Sequence, residues 1–143
     1  MSTDVLIVGG GPVGATLALA LAQGVQGSEP LSVTVLEAQN DFSAPRDART
    51  LALSHGSRLI LERIGIWQKL SDPTPITRIH ISQRGHFGRA MLSAEEAGMP
   101  ALGYVINYAG LQQALHEALS EAPVRYLTGA MVEQVQPDAG APS

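Results

Sequence analysis

The sequence contains no cysteine, so disulfides, thiolate metal centres and thiol nucleophiles are all excluded. It holds little charge: 15% of its 143 residues are Asp, Glu, Lys or Arg, against 45% hydrophobic residues. That balance suits a globular chain rather than a disordered one. The formal net charge is -4 and no basic run offsets it, which argues against a nucleic-acid partner. Long apolar runs are lacking too. Val5–Val8 is too short to span a membrane, and Pro12–Ala22 is interrupted by glycine on both sides. A cytoplasmic protein is the expectation. Its four histidines, His55, His80, His86 and His116, have no metal-ligand spacing, so no metal site is expected.

What is there begins almost at once. Val5–Val8 is a continuous apolar run, the pattern of a strand buried on both faces of a parallel sheet. Val13–Gln23 is rich in Ala and Leu and predicts a helix that Pro12 opens and Gly24 ends. Ser32–Leu36 is β-branched and predicts a second strand. Asn40–Arg49 reads as a long loop. A helix follows at about Ser57–Ile64, capped by Ser54 or Ser57 and stopped by Gly65. Ile76–Ser82 predicts a strand, although Arg78 falls out of phase, and Arg89–Leu92 a returning one after a turn at Gly85 and Gly88. Val105–Tyr108 is a strand or a strand-to-helix entry. Leu111, Leu115, Ala118 and Leu119 have helical spacing. Val124–Leu127 and Ala130–Gln136 read as strands. Strands alternating with helices predict a Rossmann-like α/β domain with a parallel sheet over residues 1–136, with a small β insert at about 76–105 and a tail at 137–143.

The chemistry sits in the first turn. Gly9, Gly11 and Gly14 form G-x-G-x-x-G between a strand and a helix, and Glu37 closes the next strand 23 residues later. Dinucleotide-binding units place such an acid about 20 residues on. Gly9 would permit the turn, Gly11 would admit a pyrophosphate against the backbone, and Gly14 would let the helix pack closely. Pro12 and Val13 open the helix, whose N-terminal N–H groups and partial positive charge suit a diphosphate. Glu37 would accept hydrogen bonds from ribose hydroxyls and repel a 2′-phosphate. This fingerprint serves NAD and FAD equally.

The block Asp47–Ser57 (DARTLALSHGS) breaks the tie. With Asp4–Gly14, Leu59–Trp67, Ile76–Gly88, Gly103–Ile106 and Leu111–Leu115, it resembles the flavin-dependent aromatic-ring hydroxylases of ubiquinone biosynthesis. These are the 2-polyprenyl-6-methoxyphenol hydroxylase type, similar in plan to para-hydroxybenzoate hydroxylase. The resemblance runs to Val135 and implies the N-terminal portion of a two-domain flavoprotein. It implies FAD as the bound cofactor, NAD(P)H as transient reductant, O₂ as oxidant and a phenol with a lipid tail as substrate. Contact with the inner membrane surface or with other enzymes of ubiquinone synthesis follows from such a substrate.

The resemblance also implies that Arg49 reaches the FAD phosphates or nearby hydroxyls and that Val132 meets the adenine through its backbone. Taken alone, Arg49 reads also as a surface partner of Asp47, and Val132 as a core valine. At Tyr108 the family often carries an amide that contacts the cofactor; here the residue is Tyr. A second flavin motif with Gly-Asp is not found in the sequence, and no residue is assigned as catalytic acid or base. Two other readings stay open: another FAD- or NAD-dependent oxidoreductase, and a nucleotide-binding fragment without catalysis.

Overall fold

The computed structural model describes residues 3–24, 29–40, 49–82 and 89–136. They divide into two compact units: residues 1–43 with 119–143, and the stretch between, 44–118.

The first unit is built on three parallel strands in the order β1 (Val5–Val8), β2 (Val33–Leu36), β8 (Val124–Leu127). Val5 pairs with Val33, and Val33 with Val124, so the three strands run in step. Helix α1 (Pro12–Ala22) connects β1 to β2 as the crossover a parallel pair requires. Central β2 is β-branched and buried; Val33 and Val35 are closed off, and the hydroxyl of buried Thr34 is satisfied by that of Thr3 at 2.9 Å. Ile7 of β1 is buried on the side of α1. Leu6 and Val8, which alternate with it, are 57% and 59% exposed. The expectation that β1 is buried on both faces therefore fails for one face. Residues 130–136 also differ from expectation. They are apolar enough for a strand (Met131, Val132, Val135) but join no ladder. They run alongside Leu6, Val8 and Leu36, enclosing an open groove of about 650 Å³.

The second unit has an antiparallel sheet in the order β3 (Thr50–Ser54), β7 (Gly103–Asn107), β4 (Thr74–Ile76), and a separate hairpin of β5 (Arg78–Ser82) and β6 (Arg89–Ser93). Strand β3 was not expected; it lies between the loop expected at Asn40–Arg49 and the helix cap expected at Ser54 or Ser57. Pro75 is tolerated in β4 because that strand is at the sheet edge. The expected strand Ile76–Ser82 is two strands, which part at Thr77 to join different sheets. The turn expected at Gly85 and Gly88 lies outside the described residues.

Helix α2 (His55–Arg63) starts at Ser54, whose hydroxyl accepts the Ser57 N–H at 3.1 Å. Gly65, with φ +76, takes the chain out of it. Arg58 of α2 pairs with Glu62 at 3.2 Å and lies 5.6 Å from the ring centres of both Trp67 and Tyr104. Helix α3 (Tyr108–Glu121) is capped by Asn107, which accepts the Gly110 N–H at 2.9 Å.

Candidate nucleotide-binding site

The site is assembled where β1 gives way to α1. Gly9 leaves the strand with φ +97, a conformation that L side chains avoid, and its N–H is held by the Leu36 carbonyl at 2.8 Å. Gly14 is required by space. A Cβ there would collide with the Gly9 carbonyl oxygen and come within 3.2 Å of Ile7 Cγ2, so its absence lets α1 approach the turn. Gly11 differs from both. A Cβ on it would meet nothing within 4 Å. The opening is on the loop surface, at the N-cap of α1, where no side chain caps the helix and no acid occupies the first turn. Pro12 takes the first helical position, which needs no N–H. The N–H groups of Val13 and Gly14 belong to the first turn, which has no intrahelical acceptors. An anionic ligand suits this end of α1 electrostatically.

Glu37 closes the site from the end of β2. Its Oε2 accepts the Gly10 N–H at 2.7 Å and its Oε1 the Gln39 N–H at 2.9 Å. Both carboxylate oxygens are thus anchored by backbone. An ionised carboxylate has about four acceptor positions, so about two remain for hydroxyl donors of a ligand. The main chain of Glu37 is pinned as well. Its N–H donates to the Leu127 carbonyl at 2.8 Å, and its carbonyl accepts the Ala130 N–H at 2.9 Å.

Two residues of this site were not singled out in the sequence. Gly10 supplies the donor that orients Glu37. Tyr126 of β8 packs over Gly10: a Cβ on Gly10 would run into the tyrosine hydroxyl and lie 2.6 Å from Cζ and 3.1 Å from Glu37 Oε2. Burial, and then the negative charge of Glu37, push the Tyr126 phenol up to about 12. The signal was Gly10, the middle glycine of Gly9–Gly11, at a motif position that does not demand glycine.

The first unit therefore brings together Gly9, Gly10, Gly11, Pro12, Val13, Gly14, Glu37 and Tyr126. Val132 belongs to the same unit and lines the groove with Leu6, Val8 and Leu36, in an irregular segment rather than at the start of a strand. Arg49 belongs to the second unit. Its guanidinium lies 5.0 Å from the centre of the Tyr108 ring, and its carbonyl accepts the Tyr108 N–H at 3.0 Å. Asp47 lies outside the described residues. Among the described residues no group of three or more His, Asp or Glu is arranged to hold a metal ion, and no helix is long and apolar enough to cross a membrane.

Comparison with known proteins follows the same line. The profile of a family described as "FAD binding domain" matches residues 2–142. A ubiquinone hydroxylase, UbiM, of Neisseria meningitidis is 31% identical over 95% of the chain and 31% of its own length. The 3-demethoxyubiquinol 3-hydroxylase of Escherichia coli K12 is 35% identical over 85% of the chain and 31% of its own length. Among solved structures, p-nitrophenol 4-monooxygenase PnpA of Pseudomonas putida DLL-E4 superposes with a TM-score of 0.67 at 23% identity. It covers 95% of the chain and 34% of the enzyme, and this likeness is one of fold. The chain spans about a third of the length of the curated relatives it matches.

Proposed function

The chain belongs to the FAD-binding domain family, and on that premise we propose that it holds the ADP end of FAD in a monooxygenase that hydroxylates a polyprenylated phenol of ubiquinone synthesis. The observation that carries the ADP assignment is the carboxylate of Glu37, fixed by the Gly10 N–H at 2.7 Å beside the N-terminus of α1. A carboxylate beside that helix end cannot serve the diphosphate, which it would repel. It suits hydroxyl donors, and a ribose next to a diphosphate supplies them. Gly11, Val13 and Gly14 would receive the diphosphate through backbone N–H groups, and Pro12 sets the helical direction without spending a donor. Arg49 would add a cationic fork for phosphate oxygens, and the backbone at Val132 would face the adenine.

FAD supplies the redox and oxygen chemistry when bound, while the protein orients it and keeps water away. The names of the curated relatives favour a quinol or phenol ring as substrate. NAD(P)H is the proposed reductant. A substrate with a lipid tail would bring the protein to the inner membrane surface, with no spanning helix among the described residues.

Titration of the purified chain with ADP, FAD and inorganic pyrophosphate tests the site. Glu37→Ala is expected to weaken ADP and FAD by about 1–3 kcal/mol, the scale of hydrogen bonds to a charged group, and not to weaken pyrophosphate, which the carboxylate repels. Equal losses for all three would remove the ribose contact. The second reading is that these 143 residues, taken alone, bind a nucleotide without catalysis, since they span about a third of the length of the relatives. Incubated alone with FAD, NADH, O₂ and a polyprenylated phenol, the 143-residue chain is expected to give no hydroxylated product by mass spectrometry. Multiple turnovers would reject that second reading.

A further inference from the structure

Glu37 is anchored by two N–H groups, but a carboxylate on a flexible side chain keeps one geometry only if the space around it is filled. The filling comes from β8. Tyr126 stands opposite Val35 in the parallel ladder, and Val35 and Glu37 share one face of β2, so the phenol projects on the side of the carboxylate. The tip of Tyr126 and Glu37 Oε2 both border the point where a Gly10 Cβ would be. Strand β8 and the turn after it also hold the main chain around Glu37, since Gly129 donates to the Gln39 carbonyl at 3.2 Å in addition to the bonds of Leu127 and Ala130. A raised phenol pKa, about 12, keeps the hydroxyl protonated and uncharged beside the acid.

From this packing we infer that Tyr126 is a positioning residue for ribose recognition: its ring, seated over Gly10, holds the Glu37 carboxylate in the orientation that receives the ribose of an adenosine diphosphate. The inference rests on the ribose reading of Glu37. It also accounts for glycine at position 10, where any Cβ would displace the phenol or the carboxylate. The role differs from simple core packing, because its effect should depend on the ligand having a ribose and on Glu37 being present.

The test is a double-mutant cycle on the 143-residue chain, read by calorimetric titration with ADP and with inorganic pyrophosphate, folding being checked by circular dichroism. Tyr126→Leu is expected to weaken ADP about tenfold and pyrophosphate less than about twofold, and in a Glu37→Ala background to cost ADP less than about twofold. Tyr126→Phe, which keeps the ring, should recover ADP affinity to within about threefold. If Tyr126→Leu does not fold, Gly10→Ala takes its place and should show the same dependence on ribose and on Glu37.

Equal losses for ADP and pyrophosphate, or a loss undiminished without Glu37, would make Tyr126 a structural residue only and overturn the inference. So would unchanged ADP affinity in Tyr126→Leu while Glu37→Ala still weakens ADP; the ribose reading would then stand without Tyr126. ADP binding that is indifferent to Glu37→Ala would reject the ribose reading, and the inference with it.

Discussion

The two units spend their polar residues differently. In the second, the polar contacts at its helices do familiar structural tasks. Ser54 and Asn107 cap helices, and Arg58 ties Glu62 to the rings of Trp67 and Tyr104. Its hairpin is barely covered: every residue of β5 and all but Ser93 of β6 are exposed. In the first unit the uncommon features converge on one turn. A glycine with φ +97, a helix start without a side-chain cap and an acid held by backbone N–H groups lie together there. None of these improves packing. A helix N-terminus left open and a carboxylate with spare acceptor capacity are arrangements that make sense with a ligand present. The difference gathers the features that suit a ligand in the first unit and helix caps and an ion pair in the second, where Arg49 is the one proposed ligand contact.

Four substitutions or conditions would break or sharpen that contrast. The largest effect is expected from Gly14→Val, which drives a side chain into the Gly9 carbonyl and Ile7. It should destabilise the first unit by about 3 kcal/mol, the upper range for overpacking, in urea denaturation followed by circular dichroism. Next is Gly11→Val. Its side chain would enter open space, so stability should fall by less than about 1 kcal/mol. ADP affinity should nonetheless drop about 100-fold, or about 2.7 kcal/mol, in the same titration used above. Undiminished affinity would show that the ligand does not approach Gly11.

Ser54→Ala removes the cap of α2 and should cost the second unit about 1 kcal/mol, with ADP affinity unchanged. A drop in ADP affinity would erase the contrast between the units.

The smallest effect concerns pH. The Tyr126 phenol titrates at about 12 in the folded chain, against about 10 when unfolded. Its contribution to stability is therefore complete below pH 10 and is lost as pH rises through 12. Because the ring is only half-buried, solvent screening keeps this loss small. Chemical denaturation between pH 9 and about 12 should show a decline that Tyr126→Phe lacks.

Local pattern made the first unit's centre legible. The turn and the helix start are specified by residues adjacent in sequence, and Glu37 by its place at the end of the next strand, 23 residues after Gly14. Long-range pairing hid the rest. Strand β3 alternates Leu51 and Leu53 with Thr50, Ala52 and Ser54, a period of two that the cap at Ser54 overshadowed; its partner β7 lies far along the chain. Arg78, out of phase in Ile76–Ser82, marked the break at Thr77 where the Ala94 N–H bonds to the Thr77 carbonyl at 2.9 Å. The apolar residues of 130–136 satisfied a strand pattern, yet strand formation needs a ladder partner, which composition does not supply. Tyr126 is invisible for the same reason: only the β2–β8 register carries it to Gly10.

That register has a consequence for how the protein is made. The strands flanking β2 reach it at very different times during synthesis. β1 precedes it, but β8 emerges only after all of Ala44–Ala118 has been added. At about 5–20 residues per second, one edge of β2 stays unpaired for seconds on the ribosome. The second unit has its whole complement of residues before the first can close. Vectorial synthesis thus favours an order in which the interior segment folds first and the three-stranded sheet that carries the proposed nucleotide site last. An early stop between the two units would leave Val33–Leu36 as an apolar strand with a bare edge, the kind of surface that chaperones bind and that aggregates recruit.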